Sequence, residues 1–190
     1  MKNSSAQLRD SAATRWLVLL LVSLTMFAAY VASDVFSPLQ TMLQRHNSWS
    51  VSEYGLFAGS YSIFNVFLGM LIFGGLILDK KGIRFTGILS AALMVVGIAI
   101  KYWAVSNMQL IDSSMVLFGK SYNMQVIWTV VGYGTFGVGA EVAGITVSKS
   151  IAKWFKGKEL ALAMGMQLSL ARLGSAAALA FSPMIANKYS

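Results

Sequence analysis

The stretch Gly75-Leu-Ile-Leu-Asp79-Lys80-Lys81-Gly82-Ile-Arg84-Phe85 is a short charged island between two long apolar runs, and its reading decides the fold. Residues 54–78 upstream and 85–100 downstream contain no Asp, Glu, Lys or Arg. The upstream run exceeds the roughly 20 apolar residues that a helix needs to cross hydrocarbon. Lipid offers no water to backbone amides, so each run must satisfy its own hydrogen bonds, which a helix does within one segment. The island is then a turn at the membrane surface. Gly75 would let another helix approach closely, Asp79 would meet exposed amides at a helix end, and Lys80, Lys81 and Arg84 would hold the turn at the cytoplasmic surface. An ordinary basic turn explains the charges, but not Gly75, Gly82 and the aspartate at these spacings.

Composition carries the same message along the whole chain. Of 190 residues, 56% are apolar and 12% charged. The formal charge of +8 raises the question of nucleic acid. Its basic residues, however, sit beside hydrophobic segments instead of forming one polar face interleaved with aromatics, so a lipid bilayer is the expected partner and nucleic acid is not. With no cysteine, disulfides and thiolate metal sites are excluded, and the lone His46 beside Arg45 reads as an exposed loop residue. No metal and no cofactor are expected. The first apolar stretch is longer than a signal-peptide core and lacks a small-residue cleavage site, so it is expected to remain as a spanning helix.

These patterns predict an all-α membrane protein with a tail at 1–15 and a bundle at 16–190. Five helices are expected at about 16–42, 54–78, 84–105, 122–149 and 159–186. Lys101 and Trp103 read as interfacial anchors, the amine snorkelling to the surface and the indole among headgroups. The segment 106–120 reads as an unusually long outer loop. Lys2, Arg9, Arg15, Lys80, Lys81, Arg84, Lys149, Lys153, Lys156 and Lys158 fall on one side of the predicted bundle, against Arg45, Lys101, Lys120 and Lys188 on the other. The positive-inside rule then puts the N-terminus in the cytoplasm and, after five spans, Ser190 outside.

Three ionisable side chains lie within the predicted spans: Asp34, Glu141 and Arg172. A charge at membrane depth is unfavourable by about 2.5–3.5 kcal/mol on insertion scales, so it usually faces a partner or a water-filled cavity. At about 1.5 Å per residue from the cytoplasmic end, Glu141 lies roughly 12 Å deep and Arg172 roughly 20 Å deep, and both can face one central cavity. There the Glu141 carboxylate would take an ammonium and the Arg172 guanidinium a carboxylate, the two ends of a zwitterion. Alternatively the two neutralise each other across neighbouring helices. Asp34 would bind an amine, exchange a proton or pair with a lysine near the outer mouth. Tyr30, Tyr61, Asn65 and Gln167 are further candidates for the cavity wall, with interhelical bonding or packing as the alternative. Residues 132–144 carry Gly132, Gly134, Gly137, Gly139 and Gly144, a pattern for close helix packing in lipid; no strand precedes it, so it is not a dinucleotide fingerprint.

The spacing G-x-x-x-D-K-x-G-x-R at 75–84 resembles the loop between the second and third helices of the major facilitator superfamily, although that superfamily usually has a further basic residue where this chain has Phe85. The stretch 153–175, Lys-Trp-Phe-Lys-Gly-Lys-Glu-Leu-Ala-Leu-Ala-Met-Gly-Met-Gln-Leu-Ser-Leu-Ala-Arg-Leu-Gly-Ser, is similar to the lysosomal dipeptide transporter branch of that superfamily. So are Tyr30 and Asp34 before Leu39-Gln40, and Gly137, Gly139 and Glu141. The resemblance implies twelve helices in two six-helix halves, of which this chain would hold helices one to five and lack helix six and the second half. It also implies that Glu141 and Arg172 contact dipeptide termini. Tyr133 departs from it, standing where the branch has a helix-four arginine.

The expected function is secondary transport of a small zwitterion, foremost a dipeptide, by alternating access, with a small-molecule substrate and the missing half as partners. Organic-anion exchange, with Arg172 on the carboxylate and Glu141 as counterion, is the near alternative. A non-transporting scaffold subunit is the distant one. An enzyme is not expected, because no nucleophile and base stand at a recognisable spacing. Without a visible sorting signal, a bacterial-type plasma membrane is the expected location.

Overall fold

The computed structural model describes residues 11–117 and 119–189. Lys2, Arg9 and Ser190, used above for orientation, lie outside the described residues. Helix α1, Ala12–Asp34, starts four residues earlier than expected, where the Ser11 hydroxyl accepts from the Thr14 amide at 3.5 Å. It stops at Asp34, eight residues before the expected end, and the chain continues as a 3₁₀ turn, Ser37–Leu39, and α2, Gln40–His46. Pro38 explains the interruption: it has no N–H to donate back to Asp34 and disfavours helical geometry in Ser37.

Helix α3, Val51–Phe67, opens on a capping box in which Ser50 and Glu53 satisfy each other's backbone amides. The expected single helix 54–78 is broken at Gly69, whose φ of +57° ends α3 before α4, Met70–Ser106, begins. Inside α4, Gly82 takes φ 80° and ψ 173°, a conformation for which glycine alone is suited. The expected surface turn between helices two and three is thus concentrated in Gly82. The expected outer loop contains an antiparallel hairpin, β1, Ser114–Leu117, paired with β2, Lys120–Asn123, so the all-α reading needs this small addition. Asn123 caps the start of α5, Met124–Trp154. After a turn at Gly157, α6, Leu160–Tyr189, closes the described chain.

Contacts with α5 show the direction of each segment. Going from Glu53 through Tyr61 and Gly74, partners on the α5 side advance from Asn123 through Gly137 to Val142. Going from Gly87 through Met94 to Lys101, partners run back from Thr146 through Gly139 to Gly132. The chain therefore reverses at Gly82 and crosses the bundle five times. Among the described residues, four helical stretches, Ala12–His46, Met70–Ser106, Met124–Trp154 and Leu160–Lys188, are long and apolar enough to cross a membrane. The remaining crossing is supplied by α3 together with the part of α4 before Gly82.

Helix α5 is central: 61% of its most apolar 18-residue window is buried, against 22% for each of the other three stretches. Glycines make this possible. A Cβ at Gly97 would collide with the Phe136 amide nitrogen, and one at Gly139 would stand 2.8 Å from both the Met94 nitrogen and the Ser90 oxygen. Helix α1 meets α6 in the same way, Gly174 lying against the Phe27 carbonyl. Lipid tails are as apolar as leucine, so close backbone contact of this kind, and not exclusion from water, holds such helices together. The expected close-approach glycine, Gly75, has no atom from outside its own helix within 4 Å of its Cβ position, whereas a Cβ at its neighbour Gly74 would stand 2.9 Å from the Val142 side chain.

Gly97→Leu is therefore expected to lower stability by at least about 1–3 kcal/mol, the usual effect of overpacking. Gly75→Ala should be neutral or stabilise by up to about 1 kcal/mol through helix propensity. Thermal unfolding of the purified protein in lipid nanodiscs would show both, and equal sensitivity at the two positions would contradict this packing.

Candidate functional site

Helical spacing brings one face of α1 and one face of α5 together. Met26, Ala29, Tyr30 and Ser33 recur at one-turn intervals, as do Ala140, Glu141, Gly144 and Ser148, and the two rows form opposite walls of a cleft of about 360 Å³. Tyr61 from α3 and Gln167 with Leu168 from α6 complete it. Four sequence-derived candidates, Tyr30, Tyr61, Glu141 and Gln167, thus line one cavity. Asp34 and Arg172 do not line it. Ser33 and Ser148 were not singled out from the sequence. Ser33 was legible in principle, standing three residues after Tyr30 on the same helical face.

Glu141 is half-buried, and its carboxylate accepts a hydrogen bond from the Tyr61 hydroxyl at 3.0 Å. Tyr61 is itself placed by tight packing, since Gly137 leaves room for its ring, and its carbonyl accepts from the Asn65 amide at 2.8 Å. Arg172 is exposed on α6, its guanidinium 5.6 Å from the centre of the Tyr30 ring. Glu141 and Arg172 form no ion pair, so mutual neutralisation is not the arrangement of this conformation. The carboxylate is thus steadied by one phenol, and the guanidinium lies against the Tyr30 ring.

Asp34 ends α1 beyond the cleft, and its charge acts on Lys101. Lys101 corrects the sequence reading: it does not snorkel to the surface but is 4% exposed inside the bundle. Its ammonium donates to the Ala32 carbonyl at 2.9 Å and lies 4.6 Å from the Phe36 ring centre and 4.9 Å from that of Tyr133. A desolvated cation over an aromatic face gains about 2 kcal/mol, which offsets part of the burial cost. Tyr133, at the departure from the superfamily pattern, donates to the Ser33 carbonyl at 3.2 Å and so ties α5 to α1.

At the hairpin end, Gln125 is fully buried and accepts from both Asn47 and Trp49, at 3.0 and 2.8 Å. Its own amide reaches the Val105 carbonyl at 3.1 Å. This network escaped sequence reading because its members lie far apart along the chain.

At the opposite end, Asp79 does not cap a helix but pairs with Lys149 of α5. Lys80, Lys81 and Arg84 are exposed around the Gly82 bend. The side chains of Asp79 and Lys149 are 74% and 43% exposed, which makes the pair a weak, breakable clasp between α4 and α5.

The family model of the Major Facilitator Superfamily matches residues 11–190. The chain belongs to the major facilitator superfamily. This facilitator chain is 32% identical over 163 residues to the "Lysosomal dipeptide transporter MFSD1" of Pongo abelii, covering 85% of this chain and 31% of that protein. It is 32% identical over 165 residues to the protein of the same name from Homo sapiens, covering 86% and 31%. The Danio rerio relative is 32% identical over 162 residues, covering 85% and 31%. The facilitator chain thus spans about a third of the length of the curated relatives it matches. No solved structure matches it significantly. Family membership and the long apolar helices make it a multi-pass membrane protein.

The clasp at the motif end is open to a direct check. A double-mutant cycle of Asp79→Ala and Lys149→Ala should give a coupling of no more than about 1 kcal/mol, falling towards zero in 1 M salt. A salt-insensitive coupling of several kcal/mol would mean a pair much less accessible to water than described here.

Proposed function

We propose that this facilitator chain contributes one wall of the substrate path in a secondary transporter for small zwitterionic solutes, dipeptides foremost. The observation that carries the reading is the cleft between α1 and α5, where the Glu141 carboxylate, held by Tyr61, faces open space. Its volume of about 360 Å³ suits a small molecule. The substrate ammonium would dock on Glu141, with Gln167 and Ser33 offering polar contacts beside it. Arg172, leaving the Tyr30 ring, would swing to the substrate carboxylate and grip it with two N–H groups. Asp34 is proposed as a charge above this site and not as a direct ligand.

The organic-anion alternative is less well supported, because the cleft wall carries a carboxylate and the guanidinium stands outside it. Alternating access is proposed to work through the motif end, where Gly75, Asp79, Lys80, Gly82 and Arg84 form a bend clasped to Lys149. The relatives' own name makes them lysosomal dipeptide transporters, which favours dipeptides here. It lends no support to the bacterial-type plasma membrane expected from the sequence. The cytoplasmic placement of the N-terminus rests on the distribution of basic residues.

The test uses the full-length protein, purified and titrated with free dipeptides, N-acetylated dipeptides and dicarboxylates while thermal stability is followed. Binding to the folded state raises stability in proportion to occupancy. Free dipeptides should stabilise, N-acetylated ones much less. Glu141→Gln and Arg172→Ala should each weaken the dipeptide response by roughly ten- to a hundredfold in affinity, the loss expected for a charged hydrogen bond. Stabilisation by dicarboxylates alone would replace this reading with the anion exchanger. No response to any of the ligands would point to the scaffold subunit.

A further inference from the structure

Lys101 is a buried cation that the proposed substrate site does not use. Its ammonium can donate three hydrogen bonds, yet the Ala32 carbonyl is the one acceptor it has among the described residues. Three rings close around it, Phe36 from the segment after α1, and Tyr133 and Phe136 from α5, with centres 4.6, 4.9 and 5.8 Å away. Ala32 lies in the last turn of α1, where carbonyls approach the end of their intrahelical partners and a cation is favoured. Asp34, which ends the same helix, interacts with Lys101 through charge, yet no ion pair joins them.

We infer that Lys101 is a positioning residue that latches the broken end of α1 onto α4 and α5, with two seats for its ammonium: the Ala32 carbonyl, occupied here, and the Asp34 carboxylate. An ammonium with unused donors has an alternative partner in Asp34, which stands two residues beyond Ala32 on the same helix and whose carboxylate takes no hydrogen bond among the described residues. The break at 35–36 ends the hydrogen-bond ladder of α1, so Phe36 and α2 are joined to α1 by a turn and not by a continuous α-helix. Tyr133 links the latch to the cleft. Its ring flanks the ammonium while its hydroxyl holds the carbonyl of Ser33, a residue of the cleft wall. A change of seat would therefore move the cleft wall at its hairpin end. Shielding by the rings keeps water from competing for the ammonium, so the choice of seat follows the position of α1 and not solvent access.

The inference rests on the transporter reading for its meaning in transport, but its test needs no substrate, so the two can fail separately. Residues 1–190 contain no cysteine, so once any cysteine elsewhere in the protein is replaced by serine, Val35→Cys is a single reporter at the break. In the full-length protein, reconstituted into phosphatidylcholine vesicles, its rate of reaction with a water-soluble maleimide reports opening of that end. Lys101→Met keeps the side-chain volume but removes the latch, and should raise the rate by about tenfold, the population shift expected from losing a charge-assisted hydrogen bond. Lys101→Arg should restore most of the original rate. Asp34→Asn removes the second seat and should lower the rate by about threefold or more. An unchanged rate in Lys101→Met, failure of Lys101→Arg to restore it, or an unchanged rate in Asp34→Asn would overturn the inference. If Lys101→Met does not fold, Asp34→Asn decides alone, since it leaves the cage and the Ala32 bond in place.

Discussion

Everything else in this bundle depends on the backbone contact between α5 and the second part of α4. Gly97, Gly132 and Gly139 let the two helices approach until amides and carbonyls of one touch Cα atoms of the other. In water, hydrophobic side chains could drive such an association at a larger separation. In lipid they are as well solvated apart as together, and only close packing distinguishes the assembled state. Because α5 is held this way on one side, its opposite faces are committed: one towards the rings of α3, one towards α1. The carboxylate of Glu141 and the phenol of Tyr133 inherit their positions from that commitment.

Polar groups inside the bundle are then accommodated one at a time, each with a different device. Glu141 has a phenol, Arg172 an aromatic face, Lys101 a carbonyl and a cage of rings, and Gln125 a network of amides and an indole. Of these four, Gln125 alone is surrounded on several sides by hydrogen-bonding partners, which suits a fixed joint at the hairpin end. The three charges keep unused capacity. A group with spare donors or acceptors at low dielectric is one for which a new partner changes the balance of conformations, which is what a moving helix bundle requires. The Asp79–Lys149 clasp at the other end is weak for the opposite reason: water competes with it.

Much of the fold and part of the candidate site could be read from the chain. Long charge-free runs located the crossings, and the Asp79–Arg84 island located the reversal, which the structure places at Gly82. Tyr30, Tyr61, Glu141 and Gln167 were legible as polar groups in apolar helices, and all four line one cleft. Lys101 was misread because, two residues from Trp103 near a helix end, it has the local signature of an interfacial anchor. The rings that enclose it come from Phe36, Tyr133 and Phe136, and nothing near Lys101 in the chain announces them. The break after Asp34 was missed although Pro38 signals it, because the apolar run continues across it.

The sequence by itself determined that the chain is a bundle of long apolar helices and set the expectation of five crossings, because these follow from run length and rise per residue, which are local. Only the tertiary structure decided which face of each helix meets which neighbour. Successive residues on a helix point about 100° apart, so Gly74 and Gly75 face different surroundings, and only Gly74 is packed. In a soluble helix the apolar stripe would have revealed the inward face. Here lipid and protein interior are both apolar, the stripe is blurred, and the rotation of each helix is set by contacts between residues distant in the chain.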